Sequence, residues 1–213
     1  MYLAALLVWL AVSGQSWVLG VWFVAVAGIG AFIPGEANQV SLGRAYLAGP
    51  AASYALGGQF GALAVVIAIA GLTDLVDGTV ARRFERTTSF GGALDPVVDG
   101  VFMGAATLGI ALGGALPVWL AVVVIARYLV PALFGGLLLA LGRRPELRHT
   151  LTGQISTTLI VILVGGVALF RGLRQDPDGY LTSAEFVVPI ATLATWVHLA
   201  LSLRRPAVVG EPG

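Results

Sequence analysis

The sequence predicts an all-α, polytopic transmembrane helical bundle, and the prediction depends on composition and on the spacing of apolar runs. Of the 213 residues, 58% are hydrophobic and only 11% are charged, whereas an average soluble domain has about 25% charged residues. So few charged groups cannot coat a water-exposed surface, which means that most of the surface faces lipid. A soluble globular protein is therefore excluded.

Seven apolar runs approach the length of about 20 residues that a helix needs to cross a bilayer. They are separated by Gly, Pro and charged residues and cover residues 17–33, 40–58, 60–81, 89–112, 117–141, 151–171 and 182–203. Residues 1–12 are apolar but too short to cross alone. We expect them to lie at the membrane interface or to extend the next helix through residues 13–16. A cleaved signal peptide is the alternative, but no basic residue precedes the apolar stretch.

The basic residues predict the orientation of the bundle, and all twelve of them are arginine. Arg171 and Arg174 fall on one side of the alternating series, and Arg127 lies inside a run. The other nine fall at helix ends or loops on the opposite side: Arg44, Arg82, Arg83, Arg86, Arg143, Arg144, Arg148, Arg204 and Arg205. Cytoplasmic loops are enriched in arginine, so that side is predicted to be cytoplasmic and the N-terminus to lie outside.

The remaining composition limits the possible chemistry and partners. The net charge of +1 argues against nucleic acid as a partner. The chain has no Cys and only two His, which excludes thiolate sites, cysteine nucleophiles and histidine metal clusters. Any bound metal must therefore be held by oxygen, as Mg²⁺, Mn²⁺ or Ca²⁺ is.

Four of the eleven acidic residues lie close together in the chain, at Asp74, Asp77, Asp95 and Asp99. At about 100° per residue, the first two share one helical stripe and the last two share a face of the next helix. Ionised carboxylates inside a membrane cost several kcal/mol each unless cations neutralise them. An all-oxygen cluster suits one or two Mg²⁺ or Mn²⁺ ions, which accept phosphate oxygens as further ligands.

Three further residues share the stripe of the first two aspartates: Gly78, Ala81 and Arg82. The two small residues leave room for a bulky ligand, and the arginine at the mouth can hold a phosphate. The pattern predicts a diphosphate site that opens to the cytoplasm. The alternative is that the aspartates pair with arginines between helices and that the small residues only serve packing.

The complete pattern, D-x₂-D-G-x₂-A-R-x₈-G-x₃-D-x₃-D, runs from residue 74 to residue 99. It resembles the signature of the class I CDP-alcohol phosphotransferases, or phosphatidyltransferases. These integral membrane enzymes transfer a phosphatidyl-type group from a CDP-alcohol to an acceptor hydroxyl and release CMP. The resemblance implies a six-helix core over residues 35–205, an extra N-terminal membrane segment over residues 1–34 and a C-terminal tail over residues 206–213.

The resemblance also implies roles for the motif residues. Asp74, Asp77 and Asp95 are implied metal ligands, and Asp99 is implied both to ligate a second metal and to act as the general base. The implied cofactors are two Mg²⁺ or Mn²⁺ ions. The residues expected to line the CDP pocket are Gly78, Ala81 and Arg82.

An upstream segment resembles the opening of the family's first core helix, Asn-x-x-Thr followed by Arg. Here it reads Asn38-Gln-Val-Ser41-Leu-Gly-Arg44, with Ser41 in the place of Thr. The resemblance implies that Asn38 and Ser41 help to seat the nucleotide. The alternative is that both cap the helix and that Arg44 extends its charge to the membrane interface.

The acceptor side is predicted from later residues. Arg127 lies deep in a run, where a buried arginine needs an anionic partner, either a phosphate on the acceptor or one of the aspartates. Arg144 and Arg148 lie in the next cytoplasmic loop and are expected to contact the same phosphate. The segments Arg127-Tyr128 and Gly153-Gln154-x-x-Thr157 resemble the Arg-Glu and Gly-Lys-x-x-Thr stretches of glycerophosphate- and cardiolipin-type members, each with one charge missing.

The predicted acceptor is a phosphorylated polyol, such as glycerol 3-phosphate or inositol phosphate, although a lipid such as phosphatidylglycerol stays open. The expected partners are a CDP-linked lipid donor, that acceptor, membrane lipids and a second copy of the chain in a homodimer. The expected location is a prokaryotic plasma membrane. Two alternative functions are an intramembrane prenyltransferase and a cation transporter that uses the four aspartates as an ion site.

Overall fold

The computed structural model describes the backbone of residues 2–33, 36–84, 91–141 and 151–204, and side chains over residues 3–33, 41–73, 96–134, 141 and 153–201. The described residues form eight α-helices and no strand. The helices are α1 Tyr2–Ser13, α2 Val18–Gly30, α3 Glu36–Leu56, α4 Phe60–Phe84, α5 Gly91–Leu112, α6 Val118–Ala140, α7 Leu151–Gly172 and α8 Asp178–Arg204.

Each predicted span corresponds to one helix, from α2 to α8. The first twelve residues form their own helix, so the expectation that they extend the next one is wrong. The physical reason is a break after Ser13, where Gly14 takes a positive φ of 66° and the Ser16 hydroxyl accepts a hydrogen bond from the Val18 N–H at 3.4 Å. The α1 helix folds back against α2, and we call residues 2–33 the N-terminal hairpin.

Six helices, α3 to α8, form a closed ring. Contacts run from α3 to α4, α7, α8, α6 and α5 and return to α3, while the N-terminal hairpin lies outside the ring against α3. Alanines occupy many of the helix contacts, as in membrane bundles where backbones approach closely. The fully buried ones are Ala51, Ala55, Ala106, Ala121, Ala168 and Ala184, which pack among larger residues such as Leu63, Met103 and Val164.

The outer surface carries large apolar side chains on many helices, among them Phe32, Leu72, Leu133 and Phe186, each more than 60% exposed. A water-soluble monomer rarely exposes apolar area on this scale. In α7 and α8, segments Gly153–Gly172 and Asp178–Leu201 are long and apolar enough to cross a membrane by length and composition. The predicted class, a helical membrane bundle, is confirmed.

The order of the helices determines where polar residues meet. Short connections at residues 57–59, 113–117 and 173–177 make consecutive helices antiparallel. The start of α3, the end of α4 and the start of α5 therefore lie at one end of the ring. The end of α6, the start of α7 and the end of α8 lie at that same end.

Candidate active site

An ion pair between α3 and α5 is the central contact of the described site. The Arg44 guanidinium donates through Nη1 to Oδ1 of Asp99. The Arg44 side chain is 5% exposed and that of Asp99 is 23% exposed. Arg44 therefore does not extend to the membrane interface, and that alternative is wrong, because the carboxylate stabilises the buried charge within the bundle.

Ser41 lies one turn before Arg44 in α3 and is buried, with 6% of its surface exposed. The helix begins at Glu36, so Asn38 is in its first turn and Ser41 in its second. Ser41 lies inside the helix, so the capping alternative is wrong for this residue. The Asn38 side chain lies outside the described residues.

The other residues of the aspartate pattern lie on helices whose side chains are not described at these positions. The last turns of α4 carry Asp74, Asp77, Gly78, Ala81 and Arg82, and the fifth residue of α5 is Asp95. The backbone thus brings the two halves of the pattern to the same end of the ring as Asp99. Their metal and nucleotide contacts stay predictions.

A second buried arginine, Arg127 in α6, is 4% exposed and surrounded by polar groups. Its Nη1 donates to the Ser156 and Thr195 hydroxyls, the latter at 2.9 Å. Its remaining partners are the Thr157 hydroxyl at 2.9 Å and the carbonyls of Gly153 at 3.1 Å and Ala191 at 3.4 Å. These bonds join α6 to both α7 and α8.

The described partners of Arg127 are neutral oxygens. Neutral acceptors solvate a guanidinium without cancelling its charge, and in a low-dielectric interior that charge acts over a longer distance than in water. An aspartate partner for Arg127 is not seen among the described side chains. Whether the anionic partner of Arg127 is an acceptor phosphate or an aspartate therefore stays open. The other two predicted acceptor residues, Arg144 and Arg148, lie outside the described residues.

Tyr128 contacts both Arg127 and Gly100, the residue after Asp99. Its side chain packs on Gly100, which follows Asp99, so closely that a Cβ at Gly100 would lie 2.8 Å from the Tyr128 Cβ. On its other side, the ring centroid lies 5.7 Å from the Arg127 guanidinium carbon. Gly100 thus allows α6 to approach α5 directly beside the Arg44–Asp99 pair.

Several of these contacts were not predicted from the sequence. The hydroxyls of Ser156, Thr157 and Thr195 hold Arg127, and Arg44 pairs with Asp99. One signal was present, because Gly153 and Thr157 are the outer positions of the stretch that resembles Gly-Lys-x-x-Thr. Gln154 stands at the lysine position of that stretch, and its side chain is exposed.

The fold and the site together define a class: an integral membrane helical protein with a buried, charged site at one end of a six-helix ring. Comparison with known families then assigns the chain. The CDP-alcohol phosphatidyltransferase family matches residues 34–203, and the protein belongs to this family. The match covers the whole ring and leaves the N-terminal hairpin outside.

Relatives with similar sequences carry names from the same family. The chain is 33% identical over 137 residues to a probable phosphatidylglycerophosphate synthase of Mycobacterium tuberculosis, a match that covers 64% of each chain. It is 31% identical over 134 residues to the CDP-diacylglycerol–glycerol-3-phosphate 3-phosphatidyltransferase of Bacillus subtilis, covering 63% of this chain and 64% of the relative. The matched region thus spans slightly less than two thirds of either relative.

A third similarity is to a relative named as a cardiolipin synthase. A probable cardiolipin synthase (CMP-forming) of Drosophila melanogaster is 34% identical over 91 residues, which are 42% of this chain and 28% of that protein. No solved structure matches the chain.

Proposed function

We propose that the protein is a membrane enzyme of phospholipid biosynthesis that transfers a phosphatidyl-type group from a CDP-linked lipid, such as CDP-diacylglycerol, to an acceptor hydroxyl and releases CMP. The observation that carries the proposal is the complete aspartate pattern in a chain of this family, with its last aspartate against buried Arg44. Charged residues inside a membrane protein cost free energy, so they usually mark a site that binds charged substrates.

The donor set fits divalent metals. Asp74, Asp77, Asp95 and Asp99 offer only carboxylate oxygens, which are the ligands that Mg²⁺ and Mn²⁺ prefer. The backbones of α4 and α5 bring these four positions to one end of the ring. These four aspartates would hold the ions, and the bound metal would supply positive charge for the donor's diphosphate and for the leaving CMP.

Asp99 is the proposed general base. Its carboxylate removes the proton from the acceptor hydroxyl while that oxygen attacks the lipid-bearing phosphorus. The bond from this phosphorus to the CMP oxygen breaks, and CMP leaves with the electron pair. Arg44 orients the carboxylate, because its buried guanidinium holds one of the two carboxylate oxygens. No protein nucleophile is required for this direct displacement.

The nucleotide site is proposed to consist of Gly78, Ala81 and Arg82 on α4 with Asn38 and Ser41 on α3. Ser41 supports this assignment because it is buried one turn from Arg44, on the helix that faces Asp99. The small residues allow the cytidine to approach the backbone of α4, and Arg82 suits a phosphate.

The proposed acceptor is a small phosphorylated polyol, with glycerol 3-phosphate first among the candidates and inositol phosphate second. Arg127 supports this assignment, since its described partners leave its positive charge uncancelled near the centre of the bundle. Arg144 and Arg148 would add charge at the cytoplasmic entrance. The names of two relatives, which specify glycerophosphate chemistry, favour the same acceptor.

The arginine distribution supports an active site that faces the cytoplasm in a prokaryotic plasma membrane. The chain is also proposed to work as a homodimer.

The proposed function can be tested with a panel of acceptors. Purified protein in lipid nanodiscs is incubated with CDP-diacylglycerol, Mg²⁺ or Mn²⁺, and glycerol 3-phosphate, inositol phosphate or phosphatidylglycerol. We expect metal-dependent CMP release that is fastest with glycerol 3-phosphate. Absence of CMP with every acceptor, together with cation flux in liposomes, would instead favour a transporter.

A further inference from the structure

The N-terminal hairpin lies outside the family match, yet it packs against α3, which carries Arg44, and shares a buried cluster with α5, which carries Asp99. Its residues form one buried cluster with α3 and α5. The members from the hairpin are Leu19, Phe23, Val26 and Ile33, and those from the ring are Leu42, Ala45, Tyr46 and Val98. Ala45 is the neighbour of Arg44, and Val98 is the neighbour of Asp99.

A directed hydrogen bond accompanies this packing. The Trp22 indole N–H in α2 donates to the Ala45 carbonyl in α3 at 2.9 Å. The indole approaches through Gly49, where a Cβ would lie 2.7 Å from the Trp22 Cδ1. The bond therefore holds the helical turn that carries Arg44, and a larger residue at position 49 would block it.

This turn of α3 needs outside support because Pro50 follows it. Proline has no N–H, so Pro50 cannot donate to the carbonyl of Tyr46, and its ring weakens the helix at that point. The Trp22 bond ends on the carbonyl of Ala45 and so restrains the residue next to Tyr46, whose carbonyl has no helical N–H partner at Pro50.

The hairpin is fixed at its other end as well. The Ser53 hydroxyl donates to the Gln15 side-chain oxygen at 2.6 Å. The Trp9 and Tyr54 rings pack edge to face, with centroids 6.0 Å apart. These contacts lie near the end of α3, about two turns after Ala45, the residue that Trp22 bonds. The hairpin therefore contacts α3 at two separate places.

We propose that the N-terminal hairpin is a buttress that fixes the Arg44–Asp99 pair, and that Trp22 is a positioning residue for the reaction. The inference rests on the proposed function, since the pair matters for catalysis only if Asp99 is the base. Trp22 acts through the backbone of α3, because its indole N–H bonds the Ala45 carbonyl.

The first test uses Trp22→Phe in the full chain, which removes the N–H donor and retains an aromatic ring. The matched control is Trp17→Phe, because Trp17 also lies in the hairpin but is 76% exposed. We expect Trp22→Phe to lower kcat/KM for CMP release about fivefold, as befits one neutral hydrogen bond, while the control keeps the wild-type value. Equal activities of the two variants would overturn the proposal.

A double-mutant cycle separates positioning from general destabilisation. Trp22→Phe is combined with Arg44→Gln, and CMP is measured with radiolabelled donor. If Trp22 acts through Arg44, its substitution changes the remaining activity less than twofold in the Arg44→Gln background. A full second loss, as large as in the wild-type background, would contradict action through Arg44.

A third measurement does not depend on activity and so stays interpretable if no CMP is formed. The chain has no Cys, so Ser41→Cys introduces a single thiol. It lies at a buried position one turn before Ala45, the residue that Trp22 bonds. We expect Trp22→Phe to raise the rate of its modification by a small maleimide about fivefold, because local opening becomes easier, whereas Trp17→Phe leaves the rate unchanged. An unchanged rate with both would refute the buttress, whereas absence of CMP from the wild type would refute only the proposed function.

Discussion

Arg44 and Arg127 are both buried arginines, but the charges around them differ. Arg44 faces the carboxylate of Asp99 across the α3–α5 interface, so its charge is matched within the protein. Arg127 donates to hydroxyls and carbonyls of α7 and α8, which leaves its charge unmatched by the described partners. The first arginine therefore suits the orientation of a catalytic carboxylate, and the second suits attraction of an anionic substrate.

The role of Arg127 can be tested by removing its charge. Arg127→Gln keeps a polar side chain but loses the cation, and we expect the KM for glycerol 3-phosphate to rise at least about tenfold, because a hydrogen bond to a charged group contributes about 1.5–3 kcal/mol. The KM for the CDP-linked lipid should stay within about twofold. Steady-state CMP assays with each substrate varied in turn measure both values.

Thr195→Val supplies the matched control for that substitution. It removes one hydroxyl that accepts from Arg127 at 2.9 Å but keeps the cation and the shape of the side chain. We expect lower thermal stability with an acceptor KM close to that of the wild type. If Thr195→Val and Arg127→Gln raised both KM values equally, Arg127 would be only a clamp between helices.

Prediction from sequence worked well for elements and less well for contacts between them. Apolar runs separated by Gly, Pro and charged residues predicted α2 to α8, because the length of an apolar run is a local property. The Arg44–Asp99 pair joins residues 55 apart in the chain, and Arg127 joins residues up to 68 apart. Such pairs depend on the rotation and register of neighbouring helices, which periodicity within one helix does not determine.

The approach of α5 and α6 beside Asp99 gives a prediction at the level of elements. Gly100→Ala would bring a Cβ to 2.8 Å from the Tyr128 Cβ, so α6 must shift. Overpacking of this kind costs about 1–3 kcal/mol, and we expect a lower thermal midpoint together with reduced CMP release.

Gly104→Ala is the control for that change, because the added Cβ would meet Ile125 at an ordinary distance of 3.6 Å one turn further along the same interface. We expect near-normal stability and activity for this variant. Thermal unfolding in detergent and CMP assays on the two proteins measure the difference. Equal behaviour would contradict a tight α5–α6 approach at Gly100.

The whole molecule consists of a six-helix ring with the charged site at one end, an apolar outer surface, and the N-terminal hairpin against α3. The scarcity of charge made the site visible in the sequence, since few of the chain's charged residues lie outside loops and helix ends. The docking of the hairpin was not predicted, because an apolar segment contains the same residue types whether it faces lipid or another helix. The family match covers residues 34–203, and the hairpin lies before it in the chain.

The central claim is that Asp99 activates the acceptor for transfer from a CDP-linked lipid. The most direct measurement follows radiolabelled glycerol 3-phosphate into lipid, with CMP measured in the same reaction, for the wild type and for Asp99→Asn. The wild type should form labelled lipid and CMP in equal amounts, and Asp99→Asn should lower the rate about 10²–10⁴-fold, the usual contribution of a general base, while CDP-lipid still binds. A wild-type rate in Asp99→Asn, or CMP release without labelled lipid, would contradict the account.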